Sequence, residues 1–118
     1  MKASVIIPAY NEAARIDTVL EAVRTDLIGQ TIVVDDGSTD GTSQVVRQYS
    51  ADLIRLAQNQ GKARALSIVI ESAKFDSLLF LDADLIGLKT KHVEEMLRTY
   101  WETDTDMVIG VFHNGRLN

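Results

Sequence analysis

The chain has 118 residues, 46% hydrophobic and 25% charged, with a formal net charge of −5 and no cysteine. That is length for one domain with a real core. It excludes disulfides and thiolate metal sites, and the acidic balance argues against nucleic acid as a partner, since neutralising phosphates needs a basic surface. No apolar run approaches a membrane span, and Met1-Lys2 leads directly into a strand-like segment rather than a signal peptide. A cytoplasmic location is the matching expectation.

In chain order, Ala3 to Pro8 carries the β-branched run Val5-Ile6-Ile7, fit for a buried strand that Pro8 ends. Ala13 to Leu27 places Ile16, Val19, Leu20, Val23 and Leu27 at helical spacing, with Gly29 as its C-terminal stop. Thr31 to Val34 is the second strand, running into Asp35-Asp36, and the turn residues Asp36-Gly37-Ser38-Thr39-Asp40-Gly41 follow. A helix through Val45, Val46 and Tyr49 comes next, then a weaker strand over Ala51–Leu56 and a loop at Gln58-Asn59-Gln60-Gly61. Lys62 to Lys74 is a third helix with Leu66, Val69, Ile70 and Ala73 on its apolar side.

The fourth strand, Leu78-Leu79-Phe80-Leu81, ends abruptly in Asp82-Ala83-Asp84. If strand geometry persists, both carboxylates project to one face, where their mutual repulsion calls for a cation or donors. Lys91 to Glu102 then forms a fourth helix with Thr90 as N-cap and Val93, Met96, Leu97 and Tyr100 apolar. Asp106 to Phe112 reads as a fifth strand.

Alternating strands and helices predict an α/β fold, a mostly parallel sheet of about five strands with helices on both faces. Ligands of such sheets bind outside the carboxyl ends of the strands, near the point where strand order reverses. The clusters Pro8–Glu12, Asp35–Gly41 and Asp82–Asp84 all follow strand ends, so they fall on one edge.

Several short patterns fail on inspection. Gly61-Lys62 lacks the first Gly and the Ser or Thr of a P-loop, with Leu56 and Ala63 at those positions. The turn after the first strand holds no Gly, which removes the dinucleotide fingerprint. Arg47 stands where an EF-hand needs its bidentate Glu. His92 and His113 have no metal-ligand spacing, and His92 reads as a helix-surface residue.

The remaining clusters make a set. Pro8-Ala9-Tyr10-Asn11-Glu12 offers an aromatic ring and a carboxylate, or a helix-opening turn capped by Asn11. Asp35-Asp36-Gly37-Ser38 offers acceptors for a base N–H or a ribose hydroxyl, or an Asx-turn. Gly61-Lys62-Ala63-Arg64 opens a helix with two cations, or is a solvated face. Asp82-Ala83-Asp84 suits a hard cation such as Mg2+ or Mn2+, which takes one or two carboxylates plus substrate phosphates.

Val5-Ile6-Ile7-Pro8-Ala9-Tyr10-Asn11-Glu12, Val33-Val34-Asp35-Asp36-Gly37-Ser38-Thr39-Asp40-Gly41-Thr42, Asn59-Gln60-Gly61-Lys62-Ala63-Arg64-Ala65-Leu66 and Leu81-Asp82-Ala83-Asp84 resemble, in order and spacing, the motifs of family 2 glycosyltransferases with the GT-A fold. The resemblance spans most of the chain. It implies a Rossmann-like nucleotide-binding half, a UDP- or GDP-sugar donor, a divalent metal (Mn2+ or Mg2+) at a DXD motif, and sugar transfer with inversion. Carried over by position, Pro8, Ala9, Tyr10 and Glu12 line the nucleoside pocket and Asp36 hydrogen-bonds the base. Gly61 and Lys62 lie against the nucleotide, Asp82 with Ala83 faces the ribose or metal-bound water, and Asp84 binds the metal.

Asp84-Leu85 continues as in polyprenyl-phosphate sugar synthases, whereas Ile86-Gly87-Leu88 departs from their polar, Pro-containing run. Polyprenyl phosphate is thus one candidate acceptor. No residue after Asp84 matches the family's general base, so residues 1–118 read as a donor-binding part, truncated after the DXD region and self-associating through the edge so left. Two other classes compete: a non-catalytic nucleotide-sugar-binding module, and a receiver-type signalling domain. The latter needs an acidic pair after the first strand and a Lys after the fifth, where this chain has Pro8 and Phe112-His113.

Overall fold

The computed structural model describes residues 1–56, 62–103 and 108–109. Strands β1 (Ala3–Ala9), β2 (Ile28–Asp35), β3 (Asp52–Arg55) and β4 (Ser77–Phe80) form a parallel sheet, joined at the β4 edge by the two-residue β5 (Val108–Ile109). The order is β3-β2-β1-β4-β5, so the strand order reverses between β1 and β4. Four helices alternate with the strands: α1 (Ile16–Ala22), α2 (Thr42–Val46), α3 (Lys62–Ile70) and α4 (Thr90–Thr103). The α/β reading from sequence therefore holds: among the described residues there are four strands of four residues or more, and a fifth described at two residues.

All seven residues of β1 are buried, as expected of a central strand with both faces covered. Its alternation sorts the core into two layers. Val5, Ile7 and Ala9 pack with Ile16, Val19 and Leu20 of α1, Val46 of α2, and Val93 and Leu97 of α4. Ile6 faces the other way, with Ile32, Val34 and Val69 of α3. Helices cover both faces of the sheet.

The strand does not end at Pro8. Ile6 accepts a hydrogen bond from the Leu81 N–H on the β4 side, and Ala9 accepts one from Asp36 on the β2 side. Pro8, two residues beyond Ile6, faces β4 again, and the β1–β4 ladder stops at Ile6↔Phe80, where Pro8 has no N–H to donate. The pairing with β2 continues to Ala9↔Asp35.

Element ends depart from the periodic pattern for identifiable reasons. The first helix is shorter than Ala13–Leu27: Thr25 Oγ1 accepts from the Leu27 N–H and donates to Glu94 Oε2, pulling the chain out of helix. Leu27 still packs on the core, which is why it matched the helical stripe. The third helix ends at Ile70 instead of Lys74, since the Gln30 side chain takes both the Ser72 carbonyl and the Lys74 N–H. Thr90 lies inside α4, one residue past the N-cap position. There His92 Nδ1 accepts from the Lys89 N–H at 2.9 Å, the reach-back that a capping box usually assigns to Glu or Gln. The Asp106–Phe112 strand is described at Val108 and Ile109, and its other residues lie outside the described ones.

Gly29 is not a helix stop but a residue of β2. A Cβ there would sit 2.5 Å from two ring carbons of Phe75, so that ring would have to shift to admit a side chain. Gly29→Ala is expected to destabilise the fold by about 1–3 kcal/mol through overpacking, measured as a lower urea midpoint at unchanged slope.

Candidate functional site

The loops after β1 and β2 leave the sheet side by side and are stitched together. The Asn11 N–H donates to Ser38 Oγ (2.8 Å), Glu12 N–H to Thr42 Oγ1 (3.0 Å), and Ala13 N–H to Asp40 Oδ2 (3.2 Å). In return Asn11 Oδ1 accepts from the Thr39 N–H at 2.9 Å. Asn11 adopts a left-handed φ of 54°, which its short side chain tolerates. It therefore braces the neighbouring loop and is not the cap of α1, whose N-cap position, Arg15, makes no side-chain cap bond. Asp40 Oδ1 accepts from both the N–H and the hydroxyl of Thr42 two residues on, an Asx-turn that opens α2. The Thr42 hydroxyl bond is the main cause holding the Asp40 carboxyl below its usual range.

Beneath these loops lies a buried carboxylate. Asp35 is fully buried, and burial alone would push its carboxyl up. Hydrogen bonds outweigh that: Oδ1 accepts from the Ser38 N–H (2.8 Å), and Oδ2 from the Ser43 hydroxyl (2.5 Å) and Arg55 Nη1 (2.7 Å). With the Arg55 charge added, the net effect holds Asp35 below its usual range. Arg55 is its register partner on β3 and also donates to Ser43 Oγ and the Ser38 carbonyl. Asp35 is thus an internal brace. Asp36, next in sequence, is also buried, and its N–H is given to the Ala9 carbonyl.

The third cluster follows β4. Strand geometry stops at Phe80, and Ala83-Asp84 turn, yet burial still alternates. Leu81, Ala83 and Leu85 are buried, while Asp82 and Asp84 between them are half-exposed. The apolar neighbours anchor the segment and hold the two acids at the rim of the sheet. Among the described residues no cluster of three or more His, Cys, Asp or Glu is placed to hold a metal. Two carboxylates are nonetheless a donor set that suits Mg2+ or Mn2+, ions that take their remaining oxygens from water and substrate phosphates.

The other sequence-predicted residues distribute as follows. Pro8, Ala9 and Ala83 are buried, leaving chiefly backbone to meet a ligand, while Tyr10 is 42% exposed and Glu12 half-buried. Lys62 is the first residue of α3, and Gly61 lies outside the described residues, as do Asp104, Asp106 and His113. Of the acids on α4, Glu94 is engaged by Thr25 and lies 3.9 Å from Arg98. A separate open cleft of about 280 Å3, lined by Val23, Arg24, Gln30 and Tyr49 among others, holds none of the predicted site residues.

Sequence reasoning missed Arg55. The signal available was a carboxylate ending a buried strand, which needs a cation, with an Arg ending the next strand.

A parallel sheet with polar loops gathered at its carboxyl edge, beside a reversal of strand order, defines a Rossmann-like nucleotide-binding class of fold. The family model "Glycosyl transferase family 2" matches residues 4–117, and the chain belongs to that family. It is 33% identical to an uncharacterised glycosyltransferase, YfnE, of Bacillus subtilis, over 95% of this chain and 30% of the relative. Glycosyltransferase AglE of Haloferax volcanii is 34% identical over 91% of this chain and 38% of its own length. The chain thus spans about 30–50% of the length of curated relatives that it matches. Among solved structures, glucosyl-3-phosphoglycerate synthase of Mycobacterium tuberculosis, in complex with Mn2+, UDP and glucosyl-3-phosphoglycerate, superposes with a TM-score of 0.74 at 30% identity, over 82% of this chain and 38% of that one. The same enzyme has also been crystallised with Mg2+ and UDP. The fold is that of the GT-A glycosyltransferases.

A carboxylate held below its usual range stabilises the fold fully above its unfolded-state value of about 3.9 and loses that contribution as pH falls through the folded-state value. Asp35→Asn is therefore expected to cost about 1–3 kcal/mol at pH 7 and to lose less stability than the wild type between pH 5 and the acid transition. Urea unfolding across that range measures both.

Proposed function

We propose that this chain forms the donor-binding part of a family 2 glycosyltransferase, taking a nucleoside-diphosphate sugar and a divalent cation at the carboxyl edge of its sheet. The observation that carries this reading is the convergence of three polar strand-end segments on one edge, ending in two half-exposed carboxylates held by buried neighbours. UDP with Mn2+ or Mg2+ in the similar solved structures supports a uridine nucleotide as the first donor to test.

In this reading Tyr10 covers the nucleoside, with Pro8 and Ala9 giving backbone and Glu12 a carboxylate at the same wall. Asp36 accepts a hydrogen bond from the base, as both oxygens of the Asp35 carboxylate are already engaged by Ser38, Ser43 and Arg55. Gly61 and Lys62 lie against the nucleotide, Lys62 being the first residue of α3. Asp82, beside Ala83, faces the ribose or metal-bound water, and Asp84 and Asp82 would hold Mn2+ or Mg2+. Such an ion, when bound, offsets the charge that develops on the departing diphosphate. Transfer with inversion to an acceptor, polyprenyl phosphate being one candidate, belongs to the whole protein in this reading.

A thermal-shift panel tests it. UDP or GDP, with or without sugar, should raise the melting temperature of the wild type in a manner that needs Mn2+. At a hundred times Kd the gain corresponds to about 2.7 kcal/mol. Asp84→Ala is expected to abolish the metal-dependent part while melting within a few degrees of the wild type without ligand. A wild type that no nucleotide stabilises would overturn the reading.

A further inference from the structure

Arg55 lies on β3, outside every motif that points to the donor site, yet its guanidinium is built into the loop that carries Asp36. Nη1 donates to Asp35 Oδ2 at 2.7 Å and to Ser43 Oγ at 2.9 Å, while Nη2 donates to the Ser38 carbonyl at 2.7 Å. Those acceptors lie just before the loop, in the first turn of α2, and within the loop itself. Asp36 and Gly37 are all that separates Asp35 from Ser38. Asp35 Oδ1 closes the same four residues from inside by accepting the Ser38 N–H, and the Asp36 N–H is given to the Ala9 carbonyl. Gly37, at φ 84°, supplies a left-handed step that a side chain would resist. The backbone is pinned on both sides of Asp36, and the guanidinium is the outer pin.

We infer that Arg55 is a positioning residue for nucleoside recognition: by bridging Asp35, Ser43 and the Ser38 carbonyl, it fixes the loop geometry from which Asp36 meets the base. The inference rests on the donor-site reading above. It assigns nucleoside recognition to a planar, forked cation about half-exposed at its side chain, 46%, beside a carboxylate at 0%. A lysine could keep the charge opposite Asp35. It could not match the two-pronged geometry that spans the Asp35 carboxylate and the Ser38 carbonyl. The acidic pair after β4 takes no part in this bridge, so the base end and the phosphate end of the site should respond separately.

The test titrates wild type, Arg55→Ala and Arg55→Lys with two probes, each in Mn2+ and below the melting temperature of every variant: UDP or GDP, whichever the wild type prefers, and inorganic pyrophosphate. Arg55→Ala is expected to weaken the nucleotide on the order of tenfold, the size usual for losing an outer partner of a ligand-holding group. Pyrophosphate binding should stay within about twofold of the wild type, an offset too small to count as a lost hydrogen bond. Arg55→Lys should recover more of the melting temperature than of the nucleotide affinity. If Arg55→Ala does not fold, Arg55→Lys carries the same comparison. Equal weakening of both probes, or no weakening of the nucleotide, would overturn the positioning role and leave the donor reading standing. A wild type that binds Mn2+-pyrophosphate but no nucleotide would overturn both.

Discussion

The carboxylate of Asp35 sets the terms for the carboxyl edge of this sheet. A charge with no solvent access survives only where donors surround it. Meeting that demand draws together Ser38 from the loop, Ser43 from α2 and Arg55 from β3. Three separate pieces of chain thus acquire fixed relative positions from one buried group. Outside this knot the two loops above it are cross-bonded through Asn11, Ser38, Thr39 and Thr42, so the first two strand ends act as one body.

A second polar knot lies at the opposite edge. Gln30, largely buried, accepts from Ser4 Oγ and the Lys74 N–H and donates to Asp52 and the Ser72 carbonyl. It ties the starts of β1, β2 and β3 to the turn that follows α3. Trp101 Nε1 donates to Ser77 Oγ at 2.9 Å and fastens α4 to the start of β4 in the same manner. Both edges carry a carboxylate: Asp52 accepts from the Gln30 amide at the amino edge, and Asp35 pairs with Arg55 at the carboxyl edge.

Much of this was legible in the residues. The β-branched runs that become strands, the amphipathic stripes of α1 and α4, and the placement of three acidic or aromatic clusters at strand ends all rest on local patterns. Boundaries failed where a side chain from elsewhere competed for the backbone: Thr25 with Glu94, Gln30 with Ser72 and Lys74. Each such partner is tens of residues away, beyond any periodicity. Gly29 was misread for a related reason, since a glycine packed against a distant Phe75 ring looks in sequence like a helix stop. Within the site, the pairing of Asp35 with Arg55 was missed because β3 reads as a weak strand of mixed polarity. The four-residue ladder that sets the two side by side exists only in the folded sheet. Strand geometry ends at Phe80, before Asp82 and Asp84, yet the alternation of buried neighbours continues through the turn and leaves both acids partly exposed.

The stitching of the first two loops constrains how such a domain can be redesigned. Three successive N–H groups after β1, those of Asn11, Glu12 and Ala13, are satisfied by side chains of the loop and helix after β2. A graft that replaces either segment alone would orphan those donors and set the incoming residues on a mismatched frame. The pair is therefore a single exchangeable cassette: Tyr10 through Ala13 travels with Ser38 through Thr42, or neither travels.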